Sequence, residues 1–363
     1  MKQRFLTISV LLGTTLIGIP ATFITIVYAS ANGMTGGSVA LAAATVLVFM
    51  FAVAMLSSRW RRVALVMAGL ACLVGISYSA LRLKRVAPAP RMQICVNSLC
   101  EGRGPWLARV PPEHEAARAG LYLSGVAGLM GGAEFDAFDR LLDREYARLD
   151  GDWVGLPNAL LLRSSSGRIW YYRHVPETEG RHPCIVFLHG FGGQLTPYLR
   201  VIAESELGRD FVVLAPVLDV SGRWWTSSGM EVVERLLRDH LPDEVDPSRV
   251  FLVGLSNGGV GATAIATDAR TRGLFRGAVL VSGIGVARGD AGGMPFLVIS
   301  GSVDPRFDPT GVTELTGRLE RAGADVTSEW YDADHFLMLT HAPQWTHVAH
   351  EWILRSAVEP DTS

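Results

Sequence analysis

The chain has 363 residues, enough for two or three structural units, and its net charge of −2 argues against nucleic acid as a partner. Its apolar share of 49% is high for a soluble protein, and the excess is concentrated at the N-terminus.

Three N-terminal runs are almost free of charge: Phe5 to Tyr28, Val39 to Leu56 and Val63 to Leu81. Each has about the 17 to 25 residues that a helix needs to cross a bilayer, and soluble helices of that length usually carry a polar face. Residues 1–85 are therefore expected to form a three-helix transmembrane anchor. Lys2 and Arg4 precede the first run, and Arg59, Arg61 and Arg62 separate the second from the third. Positive charge marks the cytoplasmic side, so whatever follows the third helix is expected outside the cytoplasm, although Arg82, Lys84, Arg85 and Arg91 pull the other way. Alternatively the first run is a signal peptide cleaved near Ala29-Ser30-Ala31, which leaves the C-terminal part on the same side.

Val86 to Arg91 reads as a stiff, extended linker. Cys95 and Cys100 follow as a close pair that suits a disulfide in an oxidising compartment or stands as two unrelated thiols. Cys72 lies within an apolar run and Cys184 opens a strand. Glu113 to Met130 is a helical candidate weakened by Gly120, Gly125 and Gly128. Phe135, Phe138, Leu141, Leu142, Tyr146 and Leu149 recur at three- and four-residue steps and predict an amphipathic helix. Residues 86–155 thus form a linker and helical segment, either a packing subdomain or a cap over an active site.

From residue 156 the pattern changes to short strands alternating with helices. Ala159 to Arg163 and Arg168 to His174 flank a Ser-Ser-Ser-Gly turn and predict a hairpin. Apolar runs follow at Cys184 to Leu188, Phe211 to Val217, Val250 to Val253, Ala278 to Ser282 and Phe296 to Ser300, with Val326 to Tyr331 last. Most are continuous in Val, Ile, Leu and Phe, as in parallel strands covered on both faces. The expected architecture for 156–363 is an eight-stranded, mostly parallel α/β sheet with helices on both faces. The short Gly283 to Met294 connection leaves no room for a lid between the sixth and seventh strands.

One stretch concentrates the chemistry. The apolar run Val250 to Val253 enters Gly254-Leu255-Ser256-Asn257-Gly258 and passes into a small-residue helical segment. Gly-x-Ser-x-Gly at a strand-to-helix turn lifts the serine hydroxyl to the sheet edge, and only small neighbours permit so tight a turn. A serine hydroxyl is a poor nucleophile at neutral pH and needs a base, an orienting acid and oxyanion donors. Asp304, in the turn after the seventh strand, is the expected acid, with Asp219 the alternative; His335, after the eighth, is the expected base. Asp332 and Asp334 fit a turn role beside His335, and His341, His347 and His350 fit surface or packing roles near the terminal helix. The backbone N–H of Asn257 supplies one oxyanion donor, and Phe191, or else Gly192, supplies the second from His189-Gly190-Phe191-Gly192-Gly193. His189 is expected to brace that loop rather than to transfer protons. Trp224 and Trp225 are the candidates for gripping an acyl or aromatic group, against the alternative of packing on the body of the domain or on lipid.

From about residue 156 onward these motifs resemble the α/β-hydrolase superfamily, and within it dienelactone hydrolases, polyhydroxybutyrate depolymerases and prolyl-oligopeptidase-like esterases. The resemblance rests on the His189 to Gly193 loop, the Gly254 to Gly259 stretch, Gly301-Ser302-Val303-Asp304 and Asp334-His335. It implies a serine hydrolase acting on carboxylic esters, small or lipid-like, through an acyl-enzyme and without metal or organic cofactor; the three-helix anchor, which lies outside the resemblance, adds contact with membrane lipid. A peptidase of the same fold, an acyltransferase and a membrane-tethered binding protein are the alternatives, because one such fold hosts many activities.

Overall fold

The computed structural model describes residues 2–56, 61–85, 92–101, 113–128, 131–149, 163–165 and 167–357. Two compact units emerge, residues 1–87 with 109–155, and residues 88–108 with 156–363.

The first unit is helical: α1 (Lys2–Asn32), α2 (Gly36–Leu56), α3 (Arg61–Arg85), α4 (Glu113–Val126) and α5 (Gly132–Ala147). Among the described residues one stretch, Gly36–Ala54, is long and apolar enough to cross a membrane, with a mean hydropathy of 2.3. The other apolar stretches, Ile17–Asn32 and Arg62–Tyr78, fall short of that length, so three expected spans reduce to one. In α3, Arg61 and Arg62 stand at one end of the apolar turns and Arg82, Lys84 and Arg85 at the other. Glu115 of α4 is buried beside the α1–α2 turn, where its carboxylate accepts hydrogen bonds from the Tyr28 hydroxyl (2.8 Å) and the Thr35 hydroxyl (3.0 Å). A buried carboxylate needs such donors to offset its lost hydration. In α5, Leu141 and Leu142 are buried, in keeping with the predicted apolar face.

The second unit is built on one sheet whose described strands are β1 (Met92–Val96), β2 (Leu99–Glu101), β3 (Trp170–His174), β4 (His182–Leu188), β5 (Val212–Pro216), β6 (Val245–Leu255), β7 (Gly277–Val281), β8 (Pro295–Gly301) and β9 (Asp325–Tyr331). Their order is β2-β1-β3-β5-β4-β6-β7-β8-β9. β2, β1 and β3 join by antiparallel pairing, and β3 joins β5 likewise. From β5 to β9 every pairing is parallel. β5 and β7 are buried at every position, which explains their uninterrupted apolar sequences. Apart from β1 and β2, this is the mostly parallel sheet of the α/β-hydrolase order, read off the strands rather than off any motif.

The antiparallel start differs from expectation. Ala159 to Leu162 lies outside the described residues, and an isolated bridge joins Ser165 to Arg168. The strand beside β3 is instead β1, drawn from the segment expected to be linker. The two-residue turn Asn97-Ser98, with Asn97 at φ 52°, folds β2 back onto β1. It sets Cys95 directly opposite Cys100, and the two are joined as a disulfide. Asn tolerates the left-handed backbone that such a hairpin turn demands.

Helices α6 (Thr196–Ala203), α7 (Glu206–Asp210), α8 (Ser227–Asp239), α9 (Asn257–Thr267), α10 (Pro309–Arg321), α11 (Leu337–Thr340) and α12 (Ala342–Ala357) complete the unit.

Candidate active site

The sheet's parallel strands all end at one edge, and the loops that leave it carry the reactive side chains. β6 ends at Leu255 and α9 begins at Asn257, so Ser256 alone makes the turn, at φ 53° and ψ −117°. Positive φ in a residue with a Cβ costs on the order of 1–3 kcal/mol and persists only where the surroundings impose it. They do so here: a Cβ on Gly258 would lie 1.9 Å from the Leu188 carbonyl oxygen, so α9 reaches its seat against β4 only because that position is glycine.

His335 enters from the turn after β9, which Asp334 shapes by accepting the Phe336 N–H at 2.9 Å. Its Nε2 lies 3.1 Å from Ser256 Oγ, and its Nδ1 lies 2.8 Å from Asp304 Oδ2. Asp304 comes from the turn after β8, with its side chain 1% exposed, against 11% for His335. Burial by itself opposes the ionisation of Asp304. The His335 hydrogen bond and charge, with the N–H groups of Phe307 and Arg306, outweigh it and hold the carboxyl below its ordinary range. An ionised carboxylate only accepts, so His335 carries its proton on Nδ1 and turns the Nε2 lone pair toward the serine hydroxyl. Such an array can take a proton from Ser256 as the oxygen attacks a carbon and return it to a leaving group.

The alternative acid stands elsewhere. Asp219 accepts from the Ser221 N–H at 2.9 Å and from the Ser221 hydroxyl, and faces Arg163 at 3.7 Å.

The His189 to Gly193 loop crosses directly over the serine, since a Cβ on Gly190 would stand 3.0 Å from Ser256 Cβ. His189 is wholly buried; its Nδ1–H donates to the Gly190 carbonyl at 2.9 Å and its Nε2 accepts from the Leu218 N–H at 3.3 Å. Burial pulls its pKa down to about 4, which leaves it neutral and makes it a brace. Gly192 spends its N–H on the Val220 carbonyl (2.7 Å), which removes it as an oxyanion donor. Phe191 stands at the exposed crest of the same loop. Asn257 opens α9, and its side-chain amide donates to the Ser221 carbonyl at 2.8 Å, tying the serine turn to the next loop.

Trp224 requires a correction. The ring is 0% exposed, donates its indole N–H to the His189 carbonyl at 2.9 Å and meets the His189 ring edge-on at 5.0 Å. It offers no surface to a ligand and instead supports the loop from beneath, a task that satisfies its one polar atom. Trp225, its neighbour, is partly exposed, and its carbonyl accepts from the Arg288 guanidinium.

Two aromatic rings beside His335 were not singled out from the sequence. Phe307 lies parallel to the His335 ring at 5.8 Å and 8°, and Phe336 meets it edge-to-face at 6.0 Å. Phe336 is betrayed by adjacency; Phe307, three residues past Asp304, carries no local signal. Among the described residues no three His, Cys, Asp or Glu side chains converge to hold a metal ion.

No family model matches the sequence, and no curated protein matches it. Solved structures of similar shape include an acylaminoacyl peptidase of Pyrococcus horikoshii, at 16% identity and a TM-score of 0.42 over 54% of this chain. A thermostable esterase matches at 21% and 0.39 over 52%, and a putative dienelactone hydrolase of Klebsiella pneumoniae at 14% and 0.42 over 53%. The chain spans 41% of the peptidase's length, 59% of the esterase's and 94% of the dienelactone hydrolase's. At these scores the likenesses add nothing to what the strand order already conveys.

Proposed function

We propose that the chain is a serine hydrolase that cleaves carboxylic esters through an acyl-enzyme. The observation that carries this reading is the continuous chain of contacts from Ser256 Oγ to His335 Nε2 at 3.1 Å and from His335 Nδ1 to Asp304 at 2.8 Å. In this reading Ser256 Oγ bonds to the ester carbonyl carbon while its proton passes to His335 Nε2. Asp304 keeps the imidazolium oriented, and the N–H groups of Asn257 and Phe191 receive the oxyanion, each worth about 3 kcal/mol to the transition state. Collapse expels the alcohol, which takes the proton from His335. Water then attacks the acyl-enzyme with His335 again as base, releasing the carboxylic acid and restoring the Ser256 hydroxyl. Trp225 is retained as a substrate-contact residue, and Trp224 is not. The Gly36–Ala54 stretch would hold the enzyme at a membrane, and the Cys95–Cys100 disulfide favours an oxidising compartment for its catalytic unit.

The test is labelling of the full-length protein by a fluorophosphonate probe. Wild type is expected to label, and Ser256→Ala and His335→Ala are expected not to. A folded wild-type protein that resists the probe would sink the reading and bring forward a binding protein of the same fold.

A further inference from the structure

Both the carboxylate that orients His335 and the ring that faces it come from a single turn. Asp304 Oδ1 accepts the N–H groups of Arg306 (2.8 Å) and Phe307 (3.1 Å), so closing the turn around the carboxylate also fixes where the Phe307 ring emerges. The ring is partly buried and packs against the main hydrophobic core. It lies parallel to the imidazole, 5.8 Å between centroids and 8° between ring planes. Aromatic faces carry negative potential and attract cations within about 6 Å, more strongly where water is kept away. With the His335 side chain 11% exposed, little water screens this pair.

We propose that Phe307 is a positioning residue for the base, its ring face stabilising the imidazolium that forms on His335 when Ser256 gives up its proton. The inference rests on the serine-hydrolase reading. As the bond from Ser256 Oγ to the attacked centre forms, the O–H bond breaks and the proton moves to Nε2. The resulting charge spreads over a ring that meets Asp304 in its plane and has the Phe307 ring parallel to it, its centroid within about 6 Å. Neutral imidazole gains little from that face, so the contact strengthens only as the reaction proceeds, which is the condition for it to raise a rate rather than an affinity.

The experiment reads fluorophosphonate inactivation of the full-length protein as separate kinact and KI values. Phe307→Leu keeps an apolar side chain and the backbone N–H on Asp304, and is expected to lower kinact by about 5- to 30-fold with KI within about twofold. Phe307→Tyr, which keeps the aromatic face, is expected to stay within about twofold of wild type. Replacing Phe307 with 4-fluoro-, 3,4-difluoro- and 3,4,5-trifluorophenylalanine keeps the shape while draining the face of its potential, and kinact is expected to fall with each added fluorine. A kinact that stays flat across that series overturns the proposal and leaves the hydrolase reading intact. Failure of the wild-type protein itself to react overturns both.

Discussion

The loops after β5 and β8 carry the same device and put it to different use. In each, an aspartate follows a buried parallel strand and turns its Oδ1 back onto its own loop: Asp219 onto the N–H of Ser221, Asp304 onto those of Arg306 and Phe307. The two part at the second oxygen. Oδ2 of Asp304, on a side chain 1% exposed, meets His335 at 2.8 Å, whereas Oδ2 of Asp219 faces the exposed guanidinium of Arg163 at 3.7 Å. Position after a strand is therefore a weak credential for a catalytic acid. What qualifies one is the oxygen its own turn leaves free and the depth at which that oxygen finds an imidazole.

Substitution should separate the pair sharply. Asp304→Asn, which keeps the turn but removes the acceptor that fixes the imidazole tautomer, is expected to lower kcat for p-nitrophenyl acetate by about ten-thousand-fold. Asp219→Asn is expected to change kcat by less than about fivefold, since its contacts are to Ser221 and Arg163 and not to Ser256, His335 or Asp304. Equal losses would erase the distinction.

A second comparison follows from the two adjacent indoles. Trp224→Ala empties a fully buried site and strands the His189 carbonyl, at an expected cost of about 3–5 kcal/mol in denaturant unfolding. Trp225→Ala, at a partly exposed position, is expected to leave stability within about 1 kcal/mol and to act on KM instead.

The smallest effect concerns the far side of the unit, where α12 meets α7. His347 Nδ1 lies 2.9 Å from Glu206, and this bond raises the His347 pKa and lowers that of Glu206. The histidine contribution is complete below its unfolded pKa and is lost as pH rises through the raised folded value. The carboxylate contribution is complete above its unfolded pKa and is lost as pH falls through the lowered one. The Tm difference between wild type and His347→Gln should therefore be largest between the unfolded values of Glu206 and His347, shrink as pH passes either folded value and fade in high salt. A difference independent of pH would assign His347 to packing alone.

Much of the site was legible because its signals are local. Small residues on both sides of Ser256 announce a tight turn, and the apolar runs before Asp304 and His335 announce strands whose ends share one edge. β1 was not legible: Met92–Val96 breaks its apolar residues with Gln93, and its partner β3 lies more than seventy residues on, so only the sheet reveals that it is a strand. The buried face of Trp224 was equally hidden, because two adjacent indoles look alike until one of them finds a carbonyl beneath a loop.

The succession of strands β4 to β9 along the chain, the tight turn at Ser256 and the places of Asp304 and His335 just past strands were determined by sequence, since each depends on residues within a few positions of one another. Tertiary structure decided which aspartate faces the imidazole, which tryptophan is buried, which segment completes the sheet and which phenylalanine lies beside His335. Those choices depend on what remains unsatisfied after each loop has met its own hydrogen-bonding needs, and on which partner from a distant strand lies close enough to meet the rest.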